Sequence, residues 1–395
     1  MSLPLLFKCP GALPVVLVAQ FLSAIADNAL LFVALAVLKS DHYAAWAAPL
    51  LQEFFVAAYI VLAPFAGPFS DALPKGRVML ICNGVKGLGA LGMVLGLNPF
   101  LAYGLVGLGA AAYSPAKYGI LSELTAPAQL VKANSWMESS TIAAILIGAV
   151  AGGTLSDWSV PGALLLVVAC YGAAAAANLL IPRGTAERTV TSLSLFALSR
   201  GFVAGCRTLW RVPDARFSVI GTSLFWGGVS TMRILLVAWV PVALGITTHR
   251  MPAYLTAMVA VGIIVGALMA ARFITVERAD RAMPAGILIG VALCLLAGTA
   301  SLGMSFALML LLGTCGGFYV VPLNALLQKR GHETVGAGNA IALQNLADNA
   351  FMLVMTGLYT VAAYADVGVR VTAVVFGVGL SAAIGVLWWR RARMG

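Results

Sequence analysis

The stretch AQFLSAIADNALLFVALAVL, residues 19–38, is apolar enough to cross a bilayer, yet it carries Asp27 and Asn28 near its middle. About 20 apolar residues suffice to span the hydrocarbon core. A carboxylate at that depth costs ~2.5–3.5 kcal/mol on insertion scales, so a partner in the protein or a passing solute has to offset it. Gln20, Ser23 and Asp27 recur at i, i+3 and i+7 along the same helix. They form one narrow polar stripe on an otherwise apolar rod.

The end of this stretch returns later in the chain. LLFVALAVL (30–38) is echoed by LLVAWVPVAL (235–244), 205 positions on. KANS (132–135) is echoed by GAGNA (336–340), aligning Asn134 with Asn339 at the same offset, and Pro115 in YSPAKYGILSEL by Pro322 in VVPLNALLQKRG. A parallel repeat of two six-helix halves is the architecture of major facilitator transporters, with the substrate site near midplane between the halves.

The rest of the chain agrees. Its 395 residues are 61% hydrophobic and 10% charged, against roughly 25% charged in soluble domains. This is an all-α polytopic membrane protein. Runs of spanning length lie near 13–38, 49–70, 78–97, 99–122, 136–156, 160–182, 217–243, 253–275, 283–302, 304–328, 337–363 and 368–389. They divide the chain into an N-terminal half (1–182), a polar central loop (183–216) and a C-terminal half (217–395). The loop holds Arg183, Arg188, Arg200, Arg207, Arg211 and Arg216 against Glu187 and Asp214.

With both termini cytoplasmic, only Lys39, Arg250 and Arg370 fall in outer loops, and Lys86, Lys117 and Arg233 lie at membrane depth. The remainder of the 24 Lys and Arg, beginning with Lys8, sit inside, as the positive-inside rule requires. The net charge of +10 is thus spread over short loops and makes no nucleic-acid patch. The first span is too long for a cleaved signal peptide and reads as a retained helix. Cys9, Cys82, Cys170, Cys206, Cys294 and Cys315 form no CxxC pair, so neither a metal site nor a disulfide framework is expected. No cofactor is implied.

Charged and amide groups within the spans are the candidate functional residues. On the seventh span Trp226, Ser230 and Arg233 make a face like that of the first, and the repeat sets Arg233 opposite Asn28. On the eleventh, Gln344 and Asp348, and Asn345 and Asn349, are spaced i, i+4. Intramembrane ions usually line a pathway, although an Asp27–Arg233 pair would also fasten the halves. Lys117 follows Pro115 and is placed either to meet an anion or to reach the inner interface. Glu138 reads as a cavity or gate residue, above a small-residue seam of Ala144, Gly148 and Gly152 suited to close helix packing. Lys86 is expected to snorkel to the surface, and Glu53, near a helix end, has no role. GPFSDALPKGR (67–77) resembles the superfamily's cytoplasmic turn signature with one extra residue before the basic pair and no Arg after the Asp; Asp71 and Arg77 are either gate residues or a solvated turn. A guanidinium, an ammonium, carboxylates and amides together suit a zwitterion or an anion better than a plain sugar.

Several blocks resemble the bacterial lysophospholipid transporters (LplT). They are VAQFLSAIADNALLF (18–32), AAAYSPAKYGILSELT (110–125), IGTSLFWGG (220–228), WVPVALGIT (239–247), MPAGILIGV (283–291), GGFYVVPLNALLQKRG (316–331) and VGAGNAIALQNLADN (335–349). The resemblance implies a flippase of the bacterial inner membrane. Its substrates would be lysophosphatidylethanolamine and lysophosphatidylglycerol, moved from the outer to the inner leaflet for reacylation by a partner acyltransferase–acyl carrier protein synthetase. It also implies that Asp27, Lys117 and Arg233 are the important embedded charges. Two other classes are open to test. Acyl transfer would need an H-x-x-x-x-D motif, and His42, His249 and His332 have no Asp at that spacing. A proton-coupled exporter of drugs or small amphipathic solutes would use Asp27 or Glu138 as proton carrier.

Overall fold

The computed structural model describes residues 12–43, 47–182, 195–246 and 250–393. Lys8, Cys9, Arg183, Glu187, Arg188 and His249, and the side chains of Glu53 and Arg250, lie outside the described residues. The described chain is helical from end to end: α1 (Ala12–Ser40), α2 (Ala47–Ala72), α3 (Lys75–Val94), α4 (Pro99–Leu124), α5 (Leu130–Trp158), α6 (Val160–Leu179) and α7 (Leu195–Arg211), then α8 (Pro213–Leu244), α9 (Arg250–Phe273), α10 (Met283–Gly298), α11 (Leu302–Thr334), α12 (Ala337–Tyr364) and α13 (Val369–Ala392). Every expected span is matched by a helix. Among the described residues ten helices are both long and apolar enough to cross a membrane. α4 has the length, at 26 residues, but carries Tyr103, Tyr113, Ser114, Lys117 and Tyr118. Much of it is covered by protein, since it packs on α1, α2 and α3. Pro115 lies inside α4 without ending it.

α7 is the element the sequence reading lacks. The sequence predicts a polar break over 183–216, yet 17 residues of it form a helix packed on α2, with Phe202 and Leu209 buried. Two buried residues seven apart fall on one helix face, while Arg200, Arg207 and Arg211 stay exposed.

The chain forms two compact units. One comprises Met1–Ala126, Ala143–Arg211 and Gln328–Asn345; the other comprises Pro127–Ile142, Val212–Leu327 and Leu346–Gly395. In the first, α3 packs against α4 and α6, and α1 against α6 and α4. Its core holds Leu30, Val33, Leu51, Val106, Val167 and Tyr171. The seam expected on α5 is present: a Cβ at Gly148 would strike the Ile25 carbonyl and Asn28, and one at Gly152 the backbone of Ala29. The two glycines therefore let α5 approach α1 at backbone distance. In the second unit α13 packs on α10 and α8, and α9 on α8. Asp214, in the first turn of α8, is held by Arg391 of α13 at 2.6 Å.

Candidate functional site

In the first unit α1, α3 and α6 build a buried ionic cluster. Lys86 Nζ donates to Asp27 Oδ2 at 2.8 Å and to Ser23 Oγ at 3.0 Å. The Tyr171 hydroxyl donates to Asp27 Oδ1 at 2.7 Å, and Ser23 Oγ donates to Asn83 Oδ1 at 2.7 Å. The ammonium also lies 4.4 Å above the Tyr113 ring. The Lys86 side chain is 1% exposed, that of Asp27 22%. The carboxylate is thus tolerated at membrane depth because both its oxygens are satisfied, and it still keeps an open edge.

The expected snorkelling of Lys86 does not occur. Its stem is held down by helix packing: at Gly109 of α4 a Cβ would stand 2.7 Å from Lys86 Cγ and 3.0 Å from the Cys82 carbonyl oxygen. The missing side chain at Gly109 leaves the space that the inward-turned lysine stem occupies. The cation paired with Asp27 is accordingly Lys86 rather than Arg233. Asn28, half-buried, donates to its own helix at Ala24. Gln20 and Ser23 are both buried on the same stripe.

A second ionic centre lies where α2 turns into α3. Asp71 and Lys75 are 1% and 2% exposed and pair with each other. Lys75 also reaches Glu123 at 3.9 Å and donates to the Ser70 carbonyl at 3.1 Å. Asp71 accepts from the backbone N–H of Gly338 at 3.0 Å and of Asn339 at 3.3 Å, and from the Asn339 side chain at 3.3 Å. These are first-turn N–H groups of α12, which have no partner within their own helix and carry the positive end of its dipole. A Cβ at Gly338 would collide with Asp71 Oδ1, so that glycine is needed for the carboxylate to approach. The solvated-turn alternative is therefore wrong for Asp71, whose oxygens are taken up inside the protein. Arg77 is exposed.

Farther along the first unit, Asn345 donates to Ser114 Oγ of α4 at 3.0 Å. Lys117 is half-buried with its ammonium 4.3 Å from the centre of the Tyr118 ring. Gln344 is buried.

In the second unit Asp348 of α12 is 7% exposed and accepts from Ser223 Oγ at 2.8 Å and Thr222 Oγ1 at 3.1 Å on α8. Two hydroxyl donors from one helix thus hold the carboxylate of another. Arg233, nearly three turns farther along α8, is exposed, and among the described residues it makes no ion pair. Ser230 lies 3.4 Å from Thr356, and Trp226 is half-buried edge-on to Phe225. Asn349 is half-buried and Glu138 is buried at 4% exposure. Sequence reasoning missed Tyr171, Asn83, Lys75, Thr222 and Ser223. Asn83 and Lys86 at i, i+3 on α3 were the available signal for the first cluster.

The family model described as Major Facilitator Superfamily matches residues 16–352. The chain is 56% identical over 379 residues to the lysophospholipid transporter LplT of Klebsiella pneumoniae subsp. pneumoniae, covering 96% of each protein. It is 55% identical to that of Escherichia coli O1:K1 over 95% of each, and 55% identical to that of Salmonella arizonae over 97% of this chain and 96% of the relative. Among solved structures it resembles FucP in the outward conformation (TM-score 0.77, 15% identity, 98% of this chain and 99% of that one). It also resembles the human organic anion transporter MFSD10 (TETRAN), with TM-score 0.77, 16% identity and coverage of 97% and 99%. At such identities the likeness is one of fold.

Proposed function

Because the chain belongs to the major facilitator superfamily and, within it, to the family of the LplT lysophospholipid transporters, we propose that it carries lysophospholipids across a bacterial inner membrane. The supporting observation is full-length identity above half to transporters of that name. The fixed charges suit such a cargo. A lysophospholipid head group bears a phosphate and, in the ethanolamine lipid, an ammonium. Arg233, exposed on α8, supplies a planar fork for phosphate. Asp27, oriented by Lys86 and Tyr171, offers its open edge to an ammonium.

Movement runs from the outer to the inner leaflet, with lysophosphatidylethanolamine and lysophosphatidylglycerol as cargo and the product passing to the acyltransferase–acyl carrier protein synthetase. Both termini lie in the cytoplasm. Lys117, Gln344, Asn345, Asp348 and Asn349 are the further candidate residues for the head group. Gln20, Ser23, Glu138, Trp226, Ser230, Asp71 and Arg77 are assigned to gating. For α12 to shift, Asp71 would have to release the N–H groups of Gly338 and Asn339. The chain's own part is binding and conformational change, with no covalent step.

The test is uptake of labelled lysophosphatidylethanolamine by cells making the parent, Asp27→Ala or Arg233→Ala at equal membrane levels. Uptake by the parent alone supports the assignment. No uptake by a well-expressed parent would point to export of another amphipathic solute, and equal uptake by all three would leave these two residues a structural role only.

A further inference from the structure

The geometry of α7 points to a function separate from the transport path. We propose that α7 is a docking surface for the anionic phospholipids of the leaflet it borders. Arg200, Arg207 and Arg211 take the lipid phosphates while Val203 and Trp210 enter the acyl region beside them.

The helix divides into three longitudinal sectors. Phe202 and Leu209, at i and i+7, are 6% and 1% exposed and fix the helix on α2. About a quarter turn around lie Val203 and Trp210, again seven apart, 48% and 47% exposed. Next to them Arg200, Arg207 and Arg211 form a single row at i, i+7 and i+11, all exposed and, among the described residues, without an ion pair. An exposed Trp and Val beside a row of arginines suit a helix face that meets lipid. A helix lying in the bilayer interface needs this order: an anchored side, an apolar side toward the acyl chains, and a basic side at phosphate level.

Position and charge narrow the occupant. α7 lies in the chain between the candidate spans α6 and α8 and ends at Arg211, two residues before α8 begins, so its C-terminal end is tied to the start of a spanning helix. At 17 residues it runs about 25 Å along that boundary, enough for several head groups. No acidic residue occurs between Leu195 and Arg211, so nothing on the helix competes with lipid phosphate for the three guanidinium groups. Basic residues clustered beside a membrane helix attract anionic lipids over neutral ones.

The experiment uses the full chain with its native cysteines replaced by Ser, and Val203→Cys carrying an environment-sensitive fluorophore. It is reconstituted into vesicles of phosphatidylcholine alone or with phosphatidylglycerol added. Nitroxide groups on the lipid acyl chains report contact with the bilayer. The expected result is quenching that rises with phosphatidylglycerol. Each of Arg200→Gln, Arg207→Gln and Arg211→Gln should weaken that association roughly fivefold. These residues are exposed, so the fold is expected to hold, and thermal unfolding of each variant checks it. Quenching equal in both lipids and unaffected by the substitutions would overturn phosphate recognition. A label reached by a water-soluble quencher and not by the nitroxide lipids would overturn membrane docking. A label shielded from both would mean that protein covers the face, which also refutes the proposal.

Discussion

Replacing Lys86 by Met keeps the length of the stem beside Gly109 but removes the charge. Asp27 then loses its 2.8 Å ion pair and Ser23 its 3.0 Å donor, while the Tyr171 hydroxyl remains on the carboxylate. Breaking one partner out of a buried pair costs about 3–5 kcal/mol, because the surviving charge is left uncompensated. The open edge of Asp27 favours the lower end, about 3 kcal/mol. At roughly 2–4 °C per kcal/mol for a unit of this size, Lys86→Met should unfold about 6–12 °C below the parent in detergent. Adding Asp27→Asn removes the stranded charge and should restore most of that loss, since exchanging both members of a buried pair is often close to neutral. Lysophospholipid transport should be lost in the single and the double variant alike. A Lys86→Met protein as stable as the parent, or losses that simply add in the double variant, would refute the buried pair.

Other consequences are equally direct. Gly109→Val should cost roughly 2 kcal/mol by overpacking, read as lowered thermal stability, because its side chain occupies the space of Lys86 Cγ. Asp71→Asn should cost roughly 3 kcal/mol and raise hydrogen exchange at the start of α12, since Lys75 and the N–H groups of Gly338 and Asn339 lose their carboxylate. Arg233→Lys should leave stability within about 0.5 kcal/mol, as for other exposed sites, yet reduce lysophospholipid transport, because an ammonium cannot form the bidentate phosphate contact.

Much of the fold was legible because spanning helices announce themselves by length: each expected run overlaps a described helix, with ends that differ by about six residues at most, as for 136–156 against Leu130–Trp158. α7 escaped that criterion. Its apolar residues are spread over two sectors between arginines, so it never forms a continuous apolar run. Side-chain direction was the harder problem. Lys86 sits at a depth from which a lysine reaches the surface or turns inward, and the deciding fact is the missing side chain of Gly109 on another helix. Ser23 and Asp27, from the polar stripe of α1, meet in one cluster around Lys86. Their partners came from α3 and α6, which the 205-residue repeat, comparing α1 only with α8, could not indicate. For Asp71 the pattern of the turn was visible, whereas its use as the cap of α12 depends on residues 267 and 268 positions away.

The most direct measurement is transfer of labelled lysophosphatidylethanolamine across vesicles containing only this purified chain, followed by extraction of the outer leaflet with albumin. The account predicts that label becomes protected in vesicles with the parent and stays extractable with Arg233→Ala or Lys86→Met. Label that remains extractable with a correctly folded parent protein would contradict it.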